Sequence, residues 1–238
     1  MLRNFLSQKL KQAFTPISQT KNPFTNQTQK RYFARNFKRQ AEDWIKNSKY
    51  PLYINIIALN CGVYLAWSLY PGSFFYKNFA LSGDHLSSGR IWTLLTYSFS
   101  HNNLLHLFAN MFGFFFFGSA IEKIFGPRTL LQIYVAGAIM GGLFQISRNN
   151  QYYGGSHYLC LGASASLSAV LSFFILNFPY ETITVFVFPM PAWVFGTGLC
   201  AYSLWNYNSA GGIGHPAHLG GLVAGAGMYF HKRGGIKF

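Results

Sequence analysis

Acidic residues are nearly absent from this chain: 238 residues include five Asp and Glu, and none precedes Glu42. Charge of either sign is also scarce, at 10% of residues against the roughly 25% of an average soluble domain. A fold whose surface is solvated by charged side chains is therefore excluded. The three cysteines, Cys61, Cys160 and Cys200, form no Cys-x-x-Cys pair and lie in apolar stretches. No disulfide framework, metal site or cofactor is expected from them, and the thiols read as buried and inert. What fills the chain instead is apolar: 50% hydrophobic and 19% aromatic residues, the composition of a membrane protein.

The net charge of +14 does not mark a nucleic-acid surface, because nine of the nineteen Lys and Arg fall within residues 1–40. That head is basic, free of acid and rich in Ser, Thr, Asn and Gln, the pattern of a mitochondrial presequence. Leu2, Phe5, Leu6, Leu10 and Phe14 recur at helical spacing, and Pro16 discourages continuation of the helix. Arg31-Tyr32-Phe33-Ala34 resembles a matrix-peptidase site cut after Phe33. The expected division is a presequence over 1–33, a short basic matrix-side segment over 34–49, a membrane domain over 50–231 and a basic tail over 232–238.

Six runs approach the roughly 20 apolar residues a membrane helix needs: 50–70, 103–119, 129–147, 158–178, 182–205 and 215–231. The second and sixth are short, and Pro189 and Pro191 interrupt the fifth, which makes it a candidate lateral gate weakened by two missing helix donors. With the first run entering from inside, the inner ends hold Lys46, Lys49, Lys123, Arg128, Lys232, Arg233 and Lys237, against Lys77, Arg90 and Arg148 outside. This bias favours both termini inside. The second, fourth and sixth runs then all descend from the outer face. Counted from the run starts at 1.5 Å per residue, Ser164 lies roughly 9 Å deep, and His106 and His218 about 5 Å.

That shared depth points to chemistry. Polar and ionisable groups are costly in hydrocarbon and are functional by default. A serine needs a base to become a nucleophile, and neutral imidazole suits that role near pH 7. Gly162, Ala163 and Ala165 leave room beside Ser164, and unpaired N–H groups at a nearby helix start could hold an oxyanion. His106 and Asn110, four apart and so on one helix face, could add side-chain donors, with His101 shaping the entrance. Gly221 and Gly225 form a Gly-x-x-x-Gly packing face. No acidic residue falls within the six runs, Glu122 and Glu181 being assigned to inner loops, so a Ser164–His218 dyad is expected rather than a triad.

These segments resemble the rhomboid intramembrane serine proteases, in particular the mitochondrial presenilin-associated rhomboid-like group. The resemblance covers residues 90–229 and rests on His101 through His106 to Asn110-Met111, on Leu161-Gly162-Ala163-Ser164, and on Ala217-His218-Leu219-Gly220-Gly221. It implies an all-α integral membrane fold with a six-helix core and an endopeptidase acting in or next to transmembrane segments of other membrane proteins. Ser164 would be nucleophile, His218 general base, and His106, Asn110 and Gly162 would assist the oxyanion. Gly221 and Gly225 would bring the sixth helix to the fourth. It also implies the mitochondrial inner membrane, with the site open to the intermembrane space. The sequence departs from the family pattern at Ala165 (commonly Gly), at Ser168 (commonly aromatic, supporting the His ring) and at Trp92-Thr93 (commonly Trp-Arg). Residues 1–49 hold no run adequate for the extra span common in mitochondrial members. The rival reading is a non-catalytic rhomboid-fold protein that binds membrane helices or serves as a subunit of an inner-membrane complex.

Overall fold

The computed structural model describes residues 50–153, 159–185, 188–209 and 214–234. The expected presequence, its cut site and segment 34–49 lie outside these residues. In chain order the elements are α1 (Leu52–Leu69), three short helices α2 (Ser73–Phe79), α3 (Gly83–Ser87) and α4 (Thr93–Thr96), then α5 (Leu104–Phe125), α6 (Pro127–Tyr153), α7 (Ser164–Asn177), strands β1 (Thr182–Val185) and β2 (Phe188–Pro191), α8 (Ala192–Trp205) and α9 (His215–Gly234). Three helical segments, Leu52–Leu69, Leu104–Phe125 and Pro127–Asn149, are long and apolar enough to cross a membrane. α7 is apolar but has 14 residues, about 21 Å at the helical rise, short of a hydrocarbon layer of roughly 30 Å.

Local signals set the helix limits. Asn103 caps α5 by accepting the His106 N–H at 2.8 Å. Gly126, at φ 83°, ends α5, and Pro127 starts α6 in a position where its missing N–H costs nothing. α1 starts after Pro51 with no cap of its own. Glu122 supplies one, its two carboxylate oxygens each accepting at 2.8 Å from the N–H groups of Leu52 and Tyr53. This acid therefore sits inside α5 rather than in an inner loop, where its charge meets the positive end of a neighbouring helix.

Four other expectations are corrected. The fifth apolar run is helical only from Ala192. Its first part is an antiparallel hairpin pairing Thr182 with Pro191 and Thr184 with Pro189, a small two-stranded exception in the expected helical fold. A two-stranded ribbon has only edge strands, where proline is tolerated. The prolines thus remove no donor from within α8, and the gate argument built on them falls. The fourth run starts its helix at Ser164, not near Tyr158, so Ser164 lies at a helix start and the depth counted from 158 does not apply. Arg148 belongs to α6 and is buried, not an outer-loop charge. α9 carries Lys232 and Arg233 in its last turn, with Arg233 5.0 Å above the Tyr229 ring, so helix replaces the start of the expected tail. The thiols also differ from expectation: Cys61 is exposed, and Cys160 and Cys200 are partly so.

The core lies where α6, α7 and α9 meet, around Phe114, Tyr134, Val170 and Phe173. The Tyr134 hydroxyl donates to the Ser98 carbonyl at 3.0 Å, and Ser166 Oγ on α7 donates to the Tyr134 carbonyl at 2.9 Å. Ser172 Oγ donates to the Leu222 carbonyl of α9 at 2.9 Å. Between α7 and α9 the approach is backbone to side-chain stub. A Cβ placed on Gly221 would collide with the Ala165 carbonyl oxygen, and one on Gly225 with that of Ala169. Gly227, on the same helix, faces open space. Gly225→Ala should therefore lower stability by about 1–3 kcal/mol through overpacking. Gly227→Ala should be neutral or stabilising by up to about 1 kcal/mol. Thermal unfolding of the two variants in the same detergent checks the contrast.

Candidate active site

The segment before α7 is extended and fixed by backbone pairing. Cys160 and Leu81 exchange hydrogen bonds, N–H of Cys160 to O of Leu81 at 2.8 Å and the reverse at 3.1 Å. Gly162 follows at φ +125°, a conformation L side chains rarely adopt, and its N–H donates to the Tyr97 carbonyl at 3.1 Å. The chain turns there into α7, which makes Ser164 the first helical residue. Its backbone N–H is then one of the first-turn donors with no intrahelical acceptor, at the positive end of the helix.

Two histidines from the start of α5 surround this turn. The His101 and His106 rings lie 4.9 Å apart at 66°. His101 precedes the helix and its Nε2 accepts the Ala163 N–H at 3.5 Å. Burial, and after it the neighbouring His106, hold the His101 pKa down at about 4, so at neutral pH the ring has the lone pair that this bond needs. His106 faces Gly162 so closely that a Cβ there would lie 2.7 Å from its Cε1, 2.9 Å from its Nε2 and 3.8 Å from Ser164 Oγ. The imidazole and the serine hydroxyl therefore border one point in space. On its other side His106 Nδ1 lies 2.9 Å from Asn102 Oδ1, an oxygen that also accepts from Asn103 Nδ2 at 3.2 Å. This places the ring proton on Nδ1. A neutral His106 thus presents Nε2 to the site as an acceptor, and donates there only as imidazolium.

Asn110 lies one turn further along α5, buried, with Nδ2 donating to the His106 carbonyl at 3.0 Å. From the other side comes α9, whose His218 N–H closes the first turn on the Gly214 carbonyl at 3.0 Å. The five expected site residues Ser164, His218, His106, Asn110 and Gly162 all line one cavity of about 750 Å³. Among the described residues no carboxylate lines it, and no hydrogen bond joins Ser164 Oγ to the His218 ring. Gly221 and Gly225 stand outside the lining, on the α9 face that meets α7.

Several lining residues were not singled out by sequence. Gln145, Arg148 and Asn149 come from the C-terminal part of α6, where Gln145 Nε2 donates to Asn149 Oδ1 at 3.0 Å and Arg148 Nη2 to the Ser209 carbonyl at 3.2 Å. Polar residues recurring at the end of an apolar run were the available signal. Asn102 carried a weaker one, its four-residue spacing from His106. Leu105 and Ala109 of α5 and Phe195 and Leu199 of α8 give the cavity an apolar flank.

A rhomboid domain model matches residues 88–233. RHOMBOID-like protein 12, mitochondrial, of Arabidopsis thaliana is 31% identical over 205 residues, covering 79% of this chain and 61% of its own length. Rhomboid protease GlpG of Haemophilus influenzae is 28% identical over 137 residues, covering 57% of this chain and 66% of its own. Presenilin-associated rhomboid-like protein, mitochondrial, of Homo sapiens is 28% identical over 138 residues, covering 56% and 35%. This chain therefore matches between about a third and two thirds of these relatives' lengths. Since the domain match covers more than half of the chain, from ahead of α4 into the last turn of α9, this membrane protein belongs to the rhomboid family.

Proposed function

We propose that the chain is an intramembrane serine endopeptidase that cleaves peptide bonds in or next to transmembrane segments of other membrane proteins, using a Ser164–His218 dyad. The observation that carries this reading is the convergence of a serine, two imidazoles, an amide and a glycine turn on one cavity from the starts of α5, α7 and α9. In the first step Ser164 Oγ attacks the substrate carbonyl carbon while His218 takes the hydroxyl proton. The carbonyl oxygen becomes an oxyanion, held by the Ser164 N–H and the Asn110 amide, and by His106 when that ring is protonated. Collapse of the intermediate breaks the C–N bond, His218 returns its proton to the leaving amine, and water then hydrolyses the acyl-serine by the same route. His218 must swing onto Ser164 Oγ for this sequence to start, and the cavity leaves space for that movement.

A mitochondrial inner-membrane setting is part of the proposal. It is supported by the basic acid-free head and by the mitochondrial names of relatives from plant and animal. The six helices of at least 14 residues found among the described residues are proposed as six spans. α7 and α8 would be extended across the bilayer by the non-helical segments that precede them. The Lys and Arg residues near the span ends, seven on the proposed inner side against Lys77, Arg90 and Arg148 on the other, support an intermembrane-space mouth. A second reading, a non-catalytic member that binds membrane helices or joins an inner-membrane complex, draws support from the absent Ser164–His218 hydrogen bond and from Ala165, Ser168 and Thr93.

Three outcomes separate the readings. Ser164→Ala and His218→Ala should each abolish cleavage of a model membrane substrate at wild-type expression, and full activity in either would end the protease reading. Asn110→Ala should lower kcat by roughly 100-fold or more if its amide serves the oxyanion. The low His101 pKa adds a pH signature. The unfolded chain binds a proton at His101 near pH 6.5 and the folded chain only near pH 4, so this group's contribution to stability is level above pH 6.5 and falls as pH drops from 6.5 to 4. Unfolding temperatures followed across that window should fall less in His101→Gln than in wild type.

A further inference from the structure

We propose that His215, braced by Tyr202, is the positioning residue that holds the His218 ring. The inference rests on the proposed use of His218 as the base. No group on α7 holds that ring: Ser168, one turn after the nucleophile, lines the cavity beside the Gly221 backbone with a side chain too short to support an imidazole. Among the described residues the ring in contact with His218 is that of His215, with centroids 5.9 Å apart and planes at 76°. The two residues are three apart at the start of α9 and so share a face, and Pro216 between them is well placed in a first turn.

His215 is itself held. Its side chain is 3% exposed, and its other ring neighbour is Tyr202 of α8, at 5.2 Å and 74°. Three rings therefore run edge to face from α8 to the base, each in the geometry that aromatic quadrupoles favour. His215 Nδ1 is buried without a hydrogen-bond partner, and the contact with His218 is one of ring against ring. A flat ring without nitrogens should then serve as well. Tyr202 is 55% exposed, so its removal tests the ladder from the outside with little disturbance of the core. The ladder also links the base to α8, whose Phe195 and Leu199 wall the same cavity. A shift of α8 would reach the His218 ring through Tyr202.

The test uses the purified full chain and steady-state cleavage of one membrane substrate, with Ser164→Ala run alongside. His215→Ala should lower kcat by about tenfold or more at nearly unchanged KM, as expected when a catalytic group is misplaced by about an ångström or less. His215→Phe should restore most of that loss, Tyr202→Ala should lower kcat several-fold, and Tyr202→Phe should match wild type. The proposal is overturned if His215→Ala keeps full kcat, or if His215→Phe is as impaired as His215→Ala. Should His215→Ala fail to fold, the Tyr202 pair decides, and equal kcat in Tyr202→Ala and Tyr202→Phe overturns it. Residual cleavage in Ser164→Ala would instead sink the dyad itself, whereas a dead Ser164→Ala beside a fully active His215→Ala sinks only the positioning role.

Discussion

α6, α7 and α9 meet through their backbones, and the placement of the Ser164 turn against the start of the His218 helix follows from that contact. Gly221 and Gly225 admit the Ala165 and Ala169 carbonyl oxygens. Gly220 sits so close to α6 that a Cβ there would lie 2.6 Å from the Met140 carbonyl oxygen. On α6 itself, a Cβ on Gly141 would strike the Ala165 methyl and lie 2.8 Å from the Ala217 carbonyl oxygen. Ala165 and Ala217 are the immediate neighbours of Ser164 and His218, so the residues beside the proposed nucleophile and the proposed base rest on the same glycine. In hydrocarbon no hydrophobic force drives helices together, and close packing with interhelical hydrogen bonds takes over that role. Ser166 and Ser172 supply such bonds from α7 to α6 and α9.

Scarcity of charge shapes the chemistry as much as the packing does. With five acids in the chain, one is committed to capping α1 and none lines the candidate cavity among the described residues. In the proposed reaction, orientation of the base is left to packing and rings, and stabilisation of negative charge to backbone N–H groups, an amide and the positive end of α7. Asn102, Gly162 and His101 are the supports of this uncharged site. Asn102 sets the His106 tautomer, Gly162 makes the turn, and His101 anchors the residue before Ser164.

Much of this was visible in the chain, because the signals were residue types that membranes rarely tolerate. Ser164, His218, His106 and Asn110 stood out as polar groups near the starts of apolar runs, and the fold brings all four to one cavity. Hydropathy could not separate a β-hairpin from a helix over 182–191, since Ile183, Val185 and Phe188 are apolar in either form. Pro189 and Pro191, read as weakening a membrane helix, were the better guide. Nor could it locate the start of α7, which Gly162 sets by its backbone angle rather than by polarity. Glu122 and Arg148 were assigned to loops because charge ends a hydropathy window. In the fold each sits inside a helix, where a neighbouring helix end or a carbonyl receives it.

The central claim is that Ser164 is a nucleophile whose reactivity depends on the imidazole of α9. Its most direct test is to expose the folded full-length chain in bilayers to a fluorophosphonate and locate the adduct by peptide mass spectrometry. The account expects one adduct, on Ser164, formed in the wild type and lost in His218→Ala while the fold persists. An unmodified Ser164, or labelling of Ser164 at equal rate without His218, would contradict it.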